Sequence, residues 1–148
     1  MNQQWKCMTF SELSAREVYE ILKLRQEIFI MEQACLYQDI DGIDVESHHV
    51  LAQAGEILIA YARIIPHADS DIVKLGRIIV HPDHRGMALG KTLVEYTIQE
   101  AQKLFGARHI HISAQTYLKR FYESLGFRSI GSTYDLDGIS HIDMALEE

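Results

Sequence analysis

Apolar and polar positions along the chain repeat with two different periods, one near 3.6 residues and one of two residues. The segment WKCMTF at 5–10 has the composition of a short strand. Ser14 and Glu17 have the spacing of a capping box, and the apolar residues after them recur on one helical face. This predicts a strand at 5–10 and a helix from Ser14 to Glu32. Residues 33–47 contain several acids and no clear period, which predicts a loop.

The rest of the chain continues to alternate between strand and helix patterns. A helical period begins at Leu89 and should stop near Gly106, and another helix is expected over 116–125. The Asp137-Gly138 pair is typical of a tight turn between two strands. The strands expected in this part are 48–54, 57–65, 72–80, 109–114 and the two segments that flank that turn. The order β-α-β-β-β-α-β-α-β-β predicts an α/β fold in which one mixed sheet carries helices on both faces.

The composition is that of an ordinary globular domain. The chain has 148 residues, of which 47% are hydrophobic and 24% charged, and no domain boundary is visible within 1–148. The formal net charge of −7 argues against nucleic acid as a partner, because phosphate contacts need clustered Lys and Arg. That charge favours either solubility alone or the attraction of a cationic substrate.

The sequence contains no pattern typical of export or membrane insertion. The N-terminus lacks a basic region followed by an apolar one, and no apolar run approaches the roughly 20 residues that cross a bilayer. Two cysteines, Cys7 and Cys35, suit a reducing compartment. We therefore expect a cytoplasmic protein without a membrane partner, in which both cysteines are buried thiols rather than nucleophiles.

The strand-to-helix stretch 78–91 contains the strongest candidate chemistry. The first N–H groups of a helix have no partner within the helix and carry the positive end of its dipole. Gly86, Ala88 and Gly90 would let an anion approach this backbone closely, and Arg85 adds a fixed positive charge. The stretch lacks the P-loop and dinucleotide-binding patterns. It indicates a site for a diphosphate-sized anion, or else a tight turn whose small residues serve packing alone.

Two segments carry a resemblance to a known family. RGMALG at 85–90 resembles the acetyl-CoA-binding motif of the GNAT N-acetyltransferase superfamily, Arg/Gln-x-x-Gly-x-Gly/Ala. Ala88 replaces a glycine there, and because alanine penalises a positive φ, we expect ordinary backbone angles at this position. QTYLKRFYESLGF at 115–127 resembles the family's Asn-x-x-Ala-x-x-φ-Tyr-x-x-x-Gly-Phe segment, with Gln115 and Leu118 as departures.

The front half of the chain indicates one branch of this superfamily. LRQEIFIMEQ at 24–33, YQDIDG at 37–42 and the His48-His49 pair resemble the ElaA-type branch of the superfamily. The resemblance implies a GNAT-like acyl-CoA N-acyltransferase fold over almost the whole chain, with acetyl-CoA as cosubstrate. It also implies direct transfer of the acetyl group to an amine in a ternary complex. Whether the acceptor is a small molecule or a protein amine is not specified.

The same resemblance assigns roles to individual residues. Backbone groups of Ile78 and Val80 would pair with the pantetheine arm, and N–H groups from Gly86 to Lys91 would hold the diphosphate. Tyr122 would donate its proton to the departing thiolate, which suits a phenol that is neutral at pH 7, or would simply pack in the core. The residues assigned to the cofactor are Ile78, Ile79, Val80, Arg85, Gly86, Met87, Ala88, Leu89, Gly90, Lys91 and Gln115.

The residue that would deprotonate the acceptor is less specifically indicated. Strand alternation places His109, His111 and Ser113 on one face, and His111 has an intrinsic pKa suited to a base. Glu32, at the end of the first helix, is a second candidate, and a structural role is the alternative for His111. Arg25 interrupts the apolar face of that helix and either pairs with a buried carboxylate or lines the acceptor cleft.

The acidic segment DIDGID at 39–44 fails the EF-hand spacing. We expect it to form a solvated turn or, alternatively, an acidic patch that faces a cationic acceptor. Eight scattered histidines without ligand spacing indicate no metal site.

Two functions from different classes agree with these features. One is an amine acetyltransferase, and the other is a non-catalytic CoA-binding or regulatory module that has kept the fold without efficient turnover. Tyr122 favours the enzyme, whereas Ala88 and Gln115 leave the module open. An exposed edge strand in the C-terminal hairpin would also allow a homodimer.

Overall fold

Seven strands and three α-helices make up the computed structural model, which describes residues 3–67, 71–86, 88–106 and 109–146. The strands are β1 (Gln3–Thr9), β2 (His48–Ala54), β3 (Ile57–Pro66), β4 (Ile72–Val80), β5 (His109–Gln115), β6 (Phe127–Leu136) and β7 (Ile139–Leu146). The helices are α1 (Ala15–Arg25), which continues into a π-helical segment (Gln26–Glu32), α2 (Leu89–Phe105) and α3 (Lys119–Glu123). Every element expected from the sequence is present, and only its ends differ.

The helix ends follow the local chemistry of the sequence. Ser14 Oγ accepts a hydrogen bond from the Glu17 N–H, and the Glu17 carboxylate accepts one from the Ser14 N–H, so the predicted capping box is confirmed. From this cap the helical region runs to Glu32, as predicted, although its last seven residues are π-helical. Gly106, with a φ of 56°, ends α2.

All seven strands described form one sheet in the order β1-β2-β3-β4-β5-β7-β6. The β4–β5 pair is parallel and the other pairs are antiparallel. α1 covers one face and α2 and α3 cover the other, which confirms the predicted mixed sheet with helices on both faces. β6 lies at one edge of the sheet, and a homodimer across this edge stays a prediction. Within the described ranges, no helix is both long and apolar enough to cross a membrane.

Apolar residues are buried on both faces of the central strands. The cluster beneath α1 contains Ile21, Leu24, Ile28, Leu51, Leu58, Tyr61 and Ile79. The larger cluster beneath α2 and α3 includes Val50, Ile59, Leu75, Leu93, Ile112, Tyr122 and Met144. Because both of its faces are covered, β3 has the near-continuous apolar sequence that a central strand requires.

A bulge in β4 shapes the centre of the sheet. Arg77 and Ile78 stand together opposite the single residue Ala62 of β3, and Arg77 has a left-handed φ of 50°. The extra residue shifts the alternation of side chains between the two sheet faces by one position. Leu75 before it and Val80 after it therefore both pack toward α2.

From Gly76 onward, β4 and β5 separate. Their pairing joins Ile72–Leu75 to His109–Ile112 and extends no further among the described residues. β5 continues to Gln115 by pairing with β7 on its other side. The last part of β4, residues 76–80, thus has a backbone edge without a strand partner, and a notch opens in the sheet beside it.

Three arginines from distant elements hold the segment 33–47, called here the acidic loop. The hydrogen-bonded ion pairs are Arg25 with Asp39 and Asp44, Arg63 with Asp41 and Asp44, and Arg77 with Asp39 and Asp41. Asp39 and Asp44 are each only 8% exposed. The predicted solvated turn is therefore wrong, and the carboxylates serve the fold instead of forming an open acidic patch. Of the two roles left open for Arg25, pairing with buried carboxylates is the one observed.

The two adjacent histidines of β2 have opposite environments. His49 is buried, with Nε2 2.8 Å from the Asp44 carbonyl oxygen and Nδ1 2.6 Å from Tyr61 Oη. Since a carbonyl only accepts, Nε2 carries the hydrogen and Tyr61 donates to Nδ1. Burial lowers the pKa of His49, so the folded protein holds this ring neutral. His48 packs edge-on against Phe105 instead.

We expect the free energy of unfolding to fall as the pH drops below 6.5, the ordinary pKa of histidine. In that range the unfolded chain binds a proton that folded His49 does not, so the stability present above this pH is lost by at most about 1.4 kcal/mol per pH unit. Urea unfolding between about pH 8 and pH 5 measures the slope. His49→Gln should flatten it and His48→Asn should keep it. An unchanged slope in His49→Gln would assign the titration to another group.

Candidate active site

A cleft of about 960 Å³ occupies the notch between β4 and β5. Its size is typical of ligand-binding pockets, which span roughly 300–1,000 Å³. Its walls are the separated ends of the two strands, the start of α2, part of α3, the π-helical segment with the loop after it, and the tip of the β6–β7 hairpin. Because α2 and the π-helical segment lie on opposite faces of the sheet, the cleft reaches both faces.

The start of α2 forms one end of the cleft. Its N-cap residue, Ala88, supplies no side-chain hydrogen bond, and its first turn contains no acid. Leu89, Gly90 and Lys91 all line the cleft, and their N–H groups lie where a helix offers no internal acceptor. A Cβ at Gly90 would lie 3.6 Å from Phe121 Cζ, so α3 packs directly over this turn. The arrangement can receive an anion on free backbone donors.

The backbone at Ala88 corrects one expectation. Its φ is 56° and its ψ is 16°, a left-handed conformation, whereas the sequence led us to expect ordinary angles. The chain turns sharply between the short helical turn at 82–84 and α2, and Gly86 nearby also has a positive φ of 84°. A residue with a Cβ pays about 1–2 kcal/mol for this conformation. The Ala88 side chain is exposed, so it meets no further obstacle.

Arg85 reaches across the cleft toward the first helical region. Its Nε donates to the Val80 carbonyl oxygen at 3.2 Å, and its Nη2 lies 2.9 Å from Glu32 Oε1. Both side chains of this ion pair are well exposed. The carboxylate of Glu32, predicted as a base, is thus engaged by the arginine predicted to bind the anion.

Tyr122 combines a packed ring with an open hydroxyl. The ring lies edge-on to Phe121 and Phe127, with centroids 5.1 and 5.8 Å away, and the residue is 6% exposed. Its hydroxyl has no hydrogen-bond partner in the described part of the chain, and it is not among the polar atoms sealed from solvent. Burial, and to a lesser extent the charge of Tyr117, raises the pKa of Tyr122 to about 12. The hydroxyl is therefore a protonated donor at the cleft wall.

Most of the residues predicted for the site line this one cleft. They are Glu32, Ile78, Ile79, Val80, Arg85, Gly86, Ala88, Leu89, Gly90, Lys91, Gln115 and Tyr122. Met87 lies outside the described residues. Gln115 Nε2 donates to Gln33 Oε1 at 3.3 Å, which links β5 to the end of the π-helical segment. His111 does not line the cleft, so its predicted role as a base gains no support from its position.

The far end of the cleft contains residues that the sequence did not assign to a site. Cys35 Sγ donates to the Asp137 carbonyl oxygen at 3.0 Å, which joins the acidic loop to the hairpin tip. His141, on β7 opposite Gln115, also lines the cleft. Strand alternation could have placed His141 and Asp143 on one face, but the pairing of β7 with β5 leaves no local trace in the sequence.

The two cysteines lie apart. Cys35 is buried, as expected, yet its side chain borders the cleft. Cys7, which was also expected to be buried, is only half-buried. Burial, followed by the charge of Glu100, raises the pKa of Cys7 to about 12. Cys7 is therefore a protonated, weakly nucleophilic thiol.

Comparisons with known proteins identify the family of this chain. A model of the acetyltransferase (GNAT) domain matches residues 11–148. Protein ElaA of Escherichia coli is 38% identical over 148 residues, with 97% of this chain and 96% of ElaA covered. The crystal structure of E. coli ElaA superposes with a TM-score of 0.93 at 37% identity, covering 99% of this chain and 100% of that one.

Two further solved structures share the fold. An acyl-CoA N-acyltransferase from Pseudomonas aeruginosa is 33% identical, with a TM-score of 0.93 and coverage of 99% of this chain and 100% of the other. A GNAT family acetyltransferase from Elizabethkingia anophelis, solved with acetyl-CoA bound, is 15% identical, with a TM-score of 0.72 and 99% of each chain covered. The family model, the ElaA match and the shared sheet together place this chain in the GNAT acetyltransferase family, within its ElaA-like branch.

Proposed function

We propose that the chain is an N-acetyltransferase that transfers the acetyl group of acetyl-CoA to an amine. The observation that carries the proposal is one cleft that contains both an uncapped helix start and the open hydroxyl of Tyr122. An anion site alone would suit a CoA-binding module. The Tyr122 hydroxyl in the same cleft adds a proton donor, and acyl transfer from a thioester needs such a donor for the departing sulfur.

The residues present fit acetyl-CoA. The N–H groups of Leu89, Gly90 and Lys91, with the Arg85 guanidinium, would hold the diphosphate. The edge of β4 that lacks a strand partner, which includes Ile78 and Val80, would pair with the amide groups of the pantetheine arm as a neighbouring strand does. Ala88 does not block this fit, because its left-handed conformation is the one that a glycine would adopt.

Bound acetyl-CoA supplies an acetyl thioester as the electrophile. Tyr122 Oη would donate its proton to the sulfur as the C–S bond breaks, and the raised pKa keeps that proton in place at neutral pH. The sheet on both sides of the notch would exclude water from the reacting groups. An amine approaching from the face of α1 would enter between the acidic loop and the hairpin tip.

Binding and turnover of the purified protein test the proposal. Isothermal titration should detect acetyl-CoA, and a thiol reagent should detect CoA release with at least one amine of a panel of polyamines, aralkylamines and lysine derivatives. Binding without release from any amine would favour the non-catalytic module. Absence of binding would reject both functions.

Arg85→Ala should weaken acetyl-CoA binding by about tenfold. A charge-assisted hydrogen bond contributes about 1.5–3 kcal/mol, and part of that gain is offset because Arg85 already pairs with Glu32. Titration calorimetry of the variant against wild type measures the ratio. Arg16→Ala, which removes an exposed arginine of α1 away from the cleft, is the matched control. Equal affinities for wild type and Arg85→Ala would remove Arg85 from the anion site.

A further inference from the structure

The two ring nitrogens of His141 differ, because one is hydrogen-bonded and the other has no hydrogen-bond partner in the described ranges. Its Nδ1 lies 2.8 Å from the Ile139 carbonyl oxygen. A carbonyl only accepts, so Nδ1 carries the hydrogen and the neutral ring presents Nε2 as an unprotonated acceptor. Nε2 has no hydrogen-bond partner in the described ranges, and it is not among the sealed polar atoms. Although the residue is only 8% exposed, it lines the cleft.

Neighbouring residues hold this ring in place. The Tyr134 ring stacks on it, with centroids 6.1 Å apart and an interplanar angle of 26°. Next to it, Ser140 and Thr116 are hydrogen-bonded to each other at 2.7 Å, which joins β7 to the turn after β5. An imidazole held in one tautomer and one orientation is preorganised to receive a proton.

The other candidate bases are placed less well. His111 lies on the same sheet face, but outside the cleft, where burial and the charges of His109 and Lys74 lower its pKa. Glu32 borders the cleft, but its carboxylate is paired with Arg85. Of these three, His141 alone combines a cleft position with an unpaired basic atom.

We propose that His141 Nε2 is the general base of the transfer reaction and that the acceptor is a primary alkylamine, which arrives as an ammonium ion. The inference rests on the proposed acetyltransferase function. An aromatic amine is neutral at pH 7 and needs no such base, whereas an alkylamine resembles the Lys side chain, whose pKa is about 10.4. A fixed base beside the thioester is therefore useful for the alkylamine class.

The proton and electron movements balance. Nε2 takes one proton from the alkylammonium ion, which frees the nitrogen lone pair. That lone pair forms the C–N bond to the acetyl carbonyl carbon, the C–S bond breaks, and Tyr122 Oη gives its proton to the sulfur. The second proton that the nitrogen loses restores the Tyr122 hydroxyl, and the imidazolium releases its proton to water. One ammonium ion and one thioester thus yield one amide, one thiol and one proton.

Other charged and titratable groups surround His141. Asp143 lies two residues along β7 on the same face, where Oδ1 accepts hydrogen bonds from Ser113 and Tyr134. Asp137 and Cys35 belong to the hairpin tip and the loop that close this end of the cleft, and Glu32 also lines the cleft. The negative charges of Asp143 and Asp137 would favour a cationic acceptor.

The test compares His141→Asn with wild type on two probe amines, 2-phenylethylamine and p-anisidine. Asparagine keeps a donor for the Ile139 carbonyl but has no basic nitrogen. At pH 7 the variant should lose about 100-fold or more in kcat with 2-phenylethylamine and less than about threefold with p-anisidine. The loss with 2-phenylethylamine should shrink as the pH rises toward about 10.4, because a growing share of this amine is then already neutral in solution. His48→Asn, on β2 outside the cleft, is the matched control.

Each outcome decides the matter. A His141→Asn rate within about threefold of wild type with 2-phenylethylamine would overturn the inference while the transferase function stands. So would equal losses with both amines, or a larger loss in His111→Asn. If wild type releases no CoA with either probe or any amine of the panel, the proposed function fails and this inference falls with it.

A measurement that needs no variant adds a second test. Nitrogen-15 spectra of the wild-type histidines should report hydrogen on Nδ1 and none on Nε2 of neutral His141. The opposite tautomer would leave no lone pair at the cleft and would overturn the proposal. Melting temperature and acetyl-CoA affinity of His141→Asn should match those of wild type, which establishes that the variant is folded.

Discussion

Tyr122→Phe is expected to lower kcat for acetyl transfer by about 100-fold or more, while the affinity for acetyl-CoA changes by less than about twofold. The substitution removes only the hydroxyl, and the ring contacts with Phe121 and Phe127 remain. The departing thiolate would then take its proton from water. Because burial raises the pKa of Tyr122 to about 12, the wild-type rate should not decline through titration of this group below about pH 11.

Steady-state CoA release and titration calorimetry separate the two effects. Tyr96→Phe on α2, whose ring packs against Trp5 and not in the cleft, is the control for loss of a tyrosine hydroxyl. A Tyr122→Phe enzyme with the wild-type kcat would mean that the sulfur is protonated by another donor. A large loss of acetyl-CoA affinity would instead make the hydroxyl a binding group.

Arg25→Met is expected to cost about 3–5 kcal/mol of folding free energy. The Arg25 side chain is 0% exposed and donates to Asp39 Oδ2 at 3.0 Å, to Asp44 Oδ1 at 2.7 Å and to the Asp39 carbonyl oxygen at 2.8 Å. Burial alone would raise the pKa of Asp44, but the hydrogen bond and charge of Arg25, with those of Arg63, hold this pKa below its ordinary value. Methionine fills similar space and leaves these acceptors short of donors.

Thermal and urea unfolding measure the cost, which should lower the melting temperature by on the order of 10 °C. Lys6→Met removes one side of the ion pair with Glu17, whose lysine is much more exposed, and should cost no more than about 1 kcal/mol. If Arg25→Met and Lys6→Met cost the same, the buried network does not anchor the loop. Loss of the Arg25 ion pairs should also disturb the wall of the cleft, because Cys35 and Tyr37 of the acidic loop line it.

The candidate site illustrates how far sequence analysis reaches. The anion-binding turn could be predicted because a helix start, small residues and one arginine lie within a few positions of each other. The role of Tyr122 could be predicted because the segment 115–127 resembles a known family motif. The sequence did not predict His141 as the proposed base. Its position depends on the pairing of β7 with β5, and its tautomer depends on the Ile139 carbonyl.

The acidic loop illustrates the opposite case. Its local sequence is that of a solvated turn, and no nearby residue neutralises its charge. Arg63 and Arg77 lie 19 or more residues away along the chain, on β3 and β4, and sheet formation brings their guanidinium groups to the aspartates. When an aspartate has its arginine partner this far away along the chain, the local sequence gives no sign that its charge is neutralised.

Periodicity, capping residues and turn residues were enough to predict the order of strands and helices, the mixed sheet and the helix start that faces the cleft. These features depend on interactions over a few residues, which local sequence records directly. Folding alone established the bulge at Arg77, the separation of β4 from β5, and the meeting of Gln33 with Gln115 and of Cys35 with Asp137. Those contacts join residues far apart in the chain, and they arise from strand pairing and packing that no local pattern specifies.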